Sequence, residues 1–189
     1  MKKDRVYYLV ATIGASMGLV AAFMQTLEKL ASLENKGAAL PCNLSSVFNC
    51  SIVLNAPQSS LFGFPNSLIC ITIFTFLLAI GIVGLTQSNM AKKLLYGAQM
   101  LAFFMLLFAL WFLLTSTYSI GAICIFCLIC FSGLLLINGA FWRLNLSDPQ
   151  ANSTFLKTLQ KMTEKNFDIV LWISLAVLMA AIIIQHFYI

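Results

Sequence analysis

Five apolar stretches, each long enough to cross a lipid bilayer, dictate most of what this chain can fold into. They cover residues 6–27, 61–85, 94–115, 119–142 and 167–189, and none holds a Lys, Arg or Glu. A helix needs roughly 20 apolar residues to traverse the hydrocarbon core, where backbone amides must be satisfied inside the segment. Asp168 and His186 lie near the ends of the last stretch, within reach of the interface. Only 9% of the residues are charged and 61% are hydrophobic. A soluble domain carries about 25% charged residues, so lipid is the main solvent here. The expected fold class is an all-α membrane protein, a four-helix transmembrane bundle plus a fifth transmembrane helix.

The first stretch follows Met-Lys-Lys-Asp-Arg and could pass for a signal peptide. Its apolar part exceeds the roughly 7–15 residues of a signal core, and no small-x-small cleavage site closes it. It is read as a retained anchor. The positive-inside rule then orients the chain. With the N-terminus in the cytoplasm, the inner segments hold Lys2, Lys3, Arg5, Lys92, Lys93, Arg143, Lys157, Lys161 and Lys165, against Lys29 and Lys36 outside. The loop 28–60, the start of the fourth stretch and the C-terminus fall outside. The net charge of +5 is thus topological; the basic residues form no basic-aromatic patch, and nucleic acid is not an expected partner.

Short loops make neighbouring helices antiparallel. Residues 143–166 read as a cytoplasmic connector without apolar periodicity. The outer loop has more structure. Pro41 stops any helix continuing from the first span, because proline disfavours helix in the residue before it. Leu44, Val47 and Phe48 then recur at i, i+3, i+4, the spacing of a short amphipathic helix on the membrane surface. Residues 55–60 have turn composition. In one continuous helix Cys42 and Cys50 would lie about 12 Å apart, whereas a disulfide requires Cα atoms within about 7 Å. A bond between them demands a break. Glycines within the spans fit close helix packing.

The chemistry rests on cysteines. Cys124-Ile-Phe-Cys127 falls at the outer start of the fourth stretch. Residues three apart share a helix face, so the pair can close a disulfide or act as nucleophile and resolving thiol. Placed in the first two turns of a helix, they would also feel its N-terminus. Cys42 and Cys50 lie on the same oxidising side, where disulfides persist. Two thiol pairs at a membrane face suggest electron transfer to a lipid-soluble acceptor. Cys130 and Cys70, deeper in the spans, read as packing residues. A soft-metal site such as Cu(I) is the competing use of the three-cysteine ridge, but structural zinc wants four ligands and the lone histidine is at the far end, so no metal is expected.

The order of these elements carries a resemblance. Cys42-x7-Cys50-Ser51, then Ser59-Ser60-Leu-Phe62-Gly63-Phe-Pro65-Asn66-Ser67, then Cys124-x-x-Cys127 resembles the vitamin K epoxide reductase (VKOR) family, more closely its bacterial members. In the other quinone-linked family, DsbB, the CxxC comes first. The resemblance covers about residues 6–142, so residues 1–142 are expected to form a four-helix quinone-binding redox domain, followed by the connector and a fifth helix at 167–189. It implies that Cys42 faces the partner's thiolate, that Cys50 exchanges with Cys124, and that Cys127 lies next to the quinone. It also implies that Asn66 donates a hydrogen bond to a quinone carbonyl; capping or an interhelical bond is its simpler role. Phe62, with Phe64, Phe103, Phe104 and Trp111, is a candidate for the quinone wall.

Two positions depart from the family pattern. Its loop serine falls on Ala56 and its tyrosine after the CxxC on Phe131, and both losses remove hydroxyls that epoxide chemistry would use. The expected activity is therefore a membrane thiol oxidoreductase of the cytoplasmic (inner) membrane. It would oxidise a separate thioredoxin-like (DsbA-like) protein outside and pass electrons to ubiquinone or menaquinone, driving disulfide formation in exported proteins. Vitamin K epoxide or quinone reduction is the alternative within the class. A cysteine-rich metal-binding or structural membrane protein is the alternative outside it.

Overall fold

The computed structural model describes residues 2–34, 41–86, 90–146, 160–161 and 163–188. Five of its helices are long and apolar enough to cross a membrane. They are α1 (Lys2–Glu34), α3 (Asn66–Thr86), α4 (Lys92–Thr115), α5 (Ile125–Leu146) and α6 (Phe167–Tyr188), with a short α2 (Cys50–Asn55) in the outer loop. Their sequences are runs of Leu, Ile, Phe and Ala. The hydroxyls among them fold back onto their own helix: Thr12 donates to the Tyr8 carbonyl at 2.8 Å, Thr26 to Ala22 at 2.9 Å and Ser132 to Leu128 at 2.9 Å. In lipid such back-bonding satisfies a polar group that water cannot reach.

α1 is the spine of the bundle, packed along both α3 and α5, while α4 lies against α5 and barely touches α3. Small residues set the spacing. A methyl group added at Gly133 would lie 2.5 Å from the Gly14 carbonyl oxygen, so α1 and α5 meet backbone to backbone. Gly18 leaves room for the buried Phe74 ring, and Gly84 for the Tyr8 ring. A buried polar tie crosses from α4 to α5. Gln99 Nε2 donates to Asn138 Oδ1 at 2.9 Å, and Asn138 Nδ2 donates to the Ala102 and Leu134 carbonyls. The open flank between α3 and α4 leaves a cleft into the core.

The charged end of the bundle gathers the start of α1, the end of α5 and the start of α6. Arg143 forms an ion pair with Asp168, donates to Asn166 Oδ1 at 2.8 Å and lies 5.6 Å from the Tyr7 ring centre. That pair anchors α6 to α5. At the opposite end His186 meets the Tyr118 ring edge-on, 4.9 Å between centres.

Two local expectations are corrected. Residues 45–47 form bends and Phe48 a bridge, and the outer helix begins only at Cys50. The backbone there pairs with a distant partner: Ile123 N–H donates to the Val47 carbonyl at 2.8 Å, and Asn49 N–H to the Ile123 carbonyl at 3.1 Å. The second correction concerns the fourth span. α4 continues into a π-type turn (Ser116–Ile120) that ends on Gly121 in the left-handed region at φ 74°. Helix α5 therefore starts at Ile125, six residues later than the hydropathy suggests. Most of the connector 143–166 lies outside the described residues, as does Ile189.

Candidate active site

The Cys42–Cys50 disulfide closes the outer loop with Cα atoms 5.8 Å apart. The break that this bond demands is supplied by the bends of 45–47 and by the start of α2 at Cys50. Asn49 caps α2, accepting from Ile52 N–H at 3.2 Å, and Asn43 clasps Ser51 through Nδ2 to Oγ at 2.7 Å and Oδ1 to N–H at 3.1 Å. These local bonds hold Cys50 fully buried against the segment that precedes α5.

Cys124 sits at the other side of that contact. It is fully buried, and its thiol lies 3.4 Å from Cys50 Sγ. It is not in the first turn of α5 but at its cap: its carbonyl accepts from Cys127 N–H at 3.1 Å and Leu128 N–H at 3.3 Å. The Phe48–Ile123 bridge docks the two segments one residue from Cys124 and two from Cys50. The same bridge that removes the expected surface helix thus brings the two sulfurs together. Cys127, the third residue of α5, follows Cys124 by one helical turn.

Cys127 also lines the cleft between α3 and α4. The cavity wall includes Gln25, Asn66, Phe108 and Phe112, with Cys70 and Cys130 further in. It is almost entirely apolar, with its few polar groups near the outer end. Gln25 Nε2 donates to Cys127 Sγ at 3.3 Å. Asn66 uses one amide hydrogen on the Gln58 carbonyl at 2.8 Å and accepts from Leu61 N–H at 3.1 Å, so it ties down the turn above the cavity while facing it. One N–H of its amide is left over. Ser59 is buried in the same wall and donates to the Leu54 and Ala56 carbonyls. An apolar slot with amide donors and a thiol at one end suits a flat, lipid-soluble ring bearing carbonyl oxygens. Among the described residues no group of three or more His, Cys, Asp or Glu could hold a metal ion.

The anticipated residues thus fall into two sets. Cys42, Cys50, Cys124 and Cys127 form one contiguous path, and Asn66 stands at the cavity into which it leads. Phe62 does not line that cavity; it is 67% exposed on the outer turn and stacks on Phe64. Phe103, Phe104 and Trp111 face outward from α4. The aromatic lining comes from Phe74, Phe108 and Phe112 instead. Gln25 was not anticipated: a single amide in an apolar span resembles any interhelical tie. Ala56 ends α2, and Phe131 is buried in the core.

Residues 9–138, more than half of the chain, match the family model described as the Vitamin K epoxide reductase family. No curated protein and no solved structure matches the chain.

Proposed function

The chain belongs to the vitamin K epoxide reductase family, and from that premise we propose that it oxidises a thioredoxin-like protein outside the cytoplasmic membrane and delivers the electrons to a quinone. The family's members are oxidoreductases, and five apolar helices make this one a multi-pass membrane protein. One observation carries the finer reading: Cys124 lies 3.4 Å from Cys50 of the Cys42–Cys50 disulfide, while Cys127, one turn away, lines an apolar cavity.

Thiol–disulfide exchange needs a thiolate in line with a disulfide sulfur. The partner's thiolate attacks Cys42, the outer member of the pair. Cys50, freed, exchanges with Cys124 across the contact already made. Cys127 then carries the reducing equivalents at the cavity wall, held by Gln25. The quinone, ubiquinone or menaquinone, supplies a two-electron, two-proton acceptor when bound. Asn66 has a spare N–H for a carbonyl that gains negative charge in a dry site. The disulfide between Cys42 and Cys50, with Cys124 and Cys127 as thiols, corresponds to electrons already passed inward.

The test is anaerobic quinone reduction by purified protein, driven by a reduced thioredoxin-like donor or by a small dithiol. Cys127→Ala is expected to fail with both donors and Cys42→Ala only with the protein donor. A wild type that reduces no quinone, or variants that match it, would end this reading.

A further inference from the structure

Helix α1 carries a buried polar stripe that the relay above leaves partly unused. Gln25, Glu28 and Ser32 recur at i, i+3, i+7 and are each no more than 8% exposed. Gln25 reaches Cys127, and Ser32 donates to the Lys29 carbonyl at 2.8 Å and reaches Asn55 at the end of α2. Glu28 lies between them on the same stripe, one turn outward of Gln25, as Cys124 is one turn outward of Cys127 at the start of α5. Its Oε2 is buried and has no hydrogen-bond partner among the described residues.

A buried carboxylate oxygen without a partner is costly, so such a group holds a proton or sits beside one it can take. Lys29, its neighbour in sequence, turns away to the Leu54 carbonyl at 2.6 Å and to Asn55 on α2. The start of α5 supplies Cys124 and Cys127. The outer ends of α3 and α4 bring no charged side chain, only the Cys70 thiol. The lone histidine is on α6 against Tyr118. Among the described residues around the paired sulfurs, Glu28 is the buried carboxyl on the face of α1 that meets Cys127 and the end of α2.

We propose that Glu28 is the proton carrier of the Cys50–Cys124 exchange, a role that rests on the relay reading. In the inward direction the Cys42 thiolate attacks Cys50 of a Cys50–Cys124 disulfide. The Cys42–Cys50 bond forms, the Cys50–Cys124 bond breaks, and Cys124 leaves with the electron pair as a thiolate. Glu28 gives that thiolate its proton. In reverse, the Glu28 carboxylate takes the Cys124 proton and the thiolate attacks Cys50, releasing Cys42. One disulfide replaces another, so electrons balance without an outside oxidant. The structure shows the product of the inward step, with the Cys42–Cys50 bond made and the Cys124 thiol still beside Cys50.

The exchange can be read without quinone. In a Cys127→Ala parent, Cys124 attack on the Cys42–Cys50 bond releases the Cys42 thiol, which maleimide traps and mass spectrometry locates. Trapping rates are measured from about pH 5 to pH 9, spanning ordinary carboxyl and thiol titration. Adding Glu28→Gln is expected to slow exchange about 100-fold, the scale of a lost acid–base group, and to remove the carboxyl limb of the pH profile. Adding Glu28→Asp is expected to keep that limb at a reduced rate. Glu28→Gln matching the parent at every pH overturns the proposal. So do both variants slowing equally with the parent's profile intact, which marks a packing role. A parent that releases no Cys42 thiol overturns the relay itself, and this inference with it.

Discussion

Gln25 is the residue whose contribution is most exposed to a direct test. Its Nε2 donates to Cys127 Sγ from within an apolar wall. Charge at that sulfur is greatest when Cys127 is a thiolate, so in the proposed relay the bond matters most during reduction of the acceptor. Hydrogen bonds to charged groups contribute about 1.5–3 kcal/mol, so Gln25→Leu should slow oxidation of the Cys124/Cys127 dithiol by about 10- to 100-fold. The Cys42–Cys50 disulfide should form as in wild type. Single-turnover quinone reduction measures the first and non-reducing mass analysis the second; an unchanged rate removes Gln25 from the mechanism. At this scale the sequence was informative where chemistry has a spacing and silent where it has only a direction. The four cysteines of the proposed relay stand out because CxxC, a loop pair and the charge asymmetry agree. Gln25 and Phe108 did not, because spans apolar on every face do not reveal which residue turns inward. Phe62 drew notice as an aromatic beside the motif, yet it sits on the exposed turn.

At the scale of elements, the α4–α5 contact is joined by Gln99 and Asn138. Asn138 is fully buried and spends both amide hydrogens on backbone carbonyls, one on each helix. Interhelical hydrogen bonds in membranes average about 0.6 kcal/mol in double-mutant cycles, whereas stranding a buried partner costs about 1–3 kcal/mol. The second effect is the larger, so Asn138→Leu should destabilise the bundle more than the Gln99→Leu/Asn138→Leu double variant does. Denaturation of the purified protein in detergent, followed by helix content, measures both; a double variant weaker than the single would show that the tie itself is what holds the helices. Helix positions were legible from hydropathy to within a few residues at most ends. The two failures have different causes. The 44–48 periodicity lost to backbone pairing with Ile123, a contact between segments far apart in sequence that local pattern cannot reveal. The π turn delays α5 through bonds of its own segment onto the Ser116 carbonyl, closed by Gly121 in the left-handed region, which hydropathy does not register.

Across the whole molecule the two ends differ in chemistry, and that difference makes a prediction about the membrane. One end collects Arg143, Asp168 and Tyr7, with Lys92 opening α4 nearby in the antiparallel arrangement. The other end holds the disulfide, the Cys50–Cys124 contact and the mouth of the cavity. Nine of the eleven Lys and Arg residues fall on segments of the first end, by the sequence-based topology, and positive-inside bias predicts that end in the cytoplasm. A disulfide at the other end then lies where oxidation is sustained. With the six native cysteines replaced by serine, a single cysteine reports sidedness. Leu44→Cys lies on the exposed outer loop and should react with a membrane-impermeant maleimide in intact cells. Ala91→Cys, exposed at the start of α4, should react only after the membrane is opened. The reverse pattern would put the Cys42–Cys50 pair in the reducing compartment. The relay would then run toward substrates inside the cell, and a donor outside the membrane could not reach Cys42.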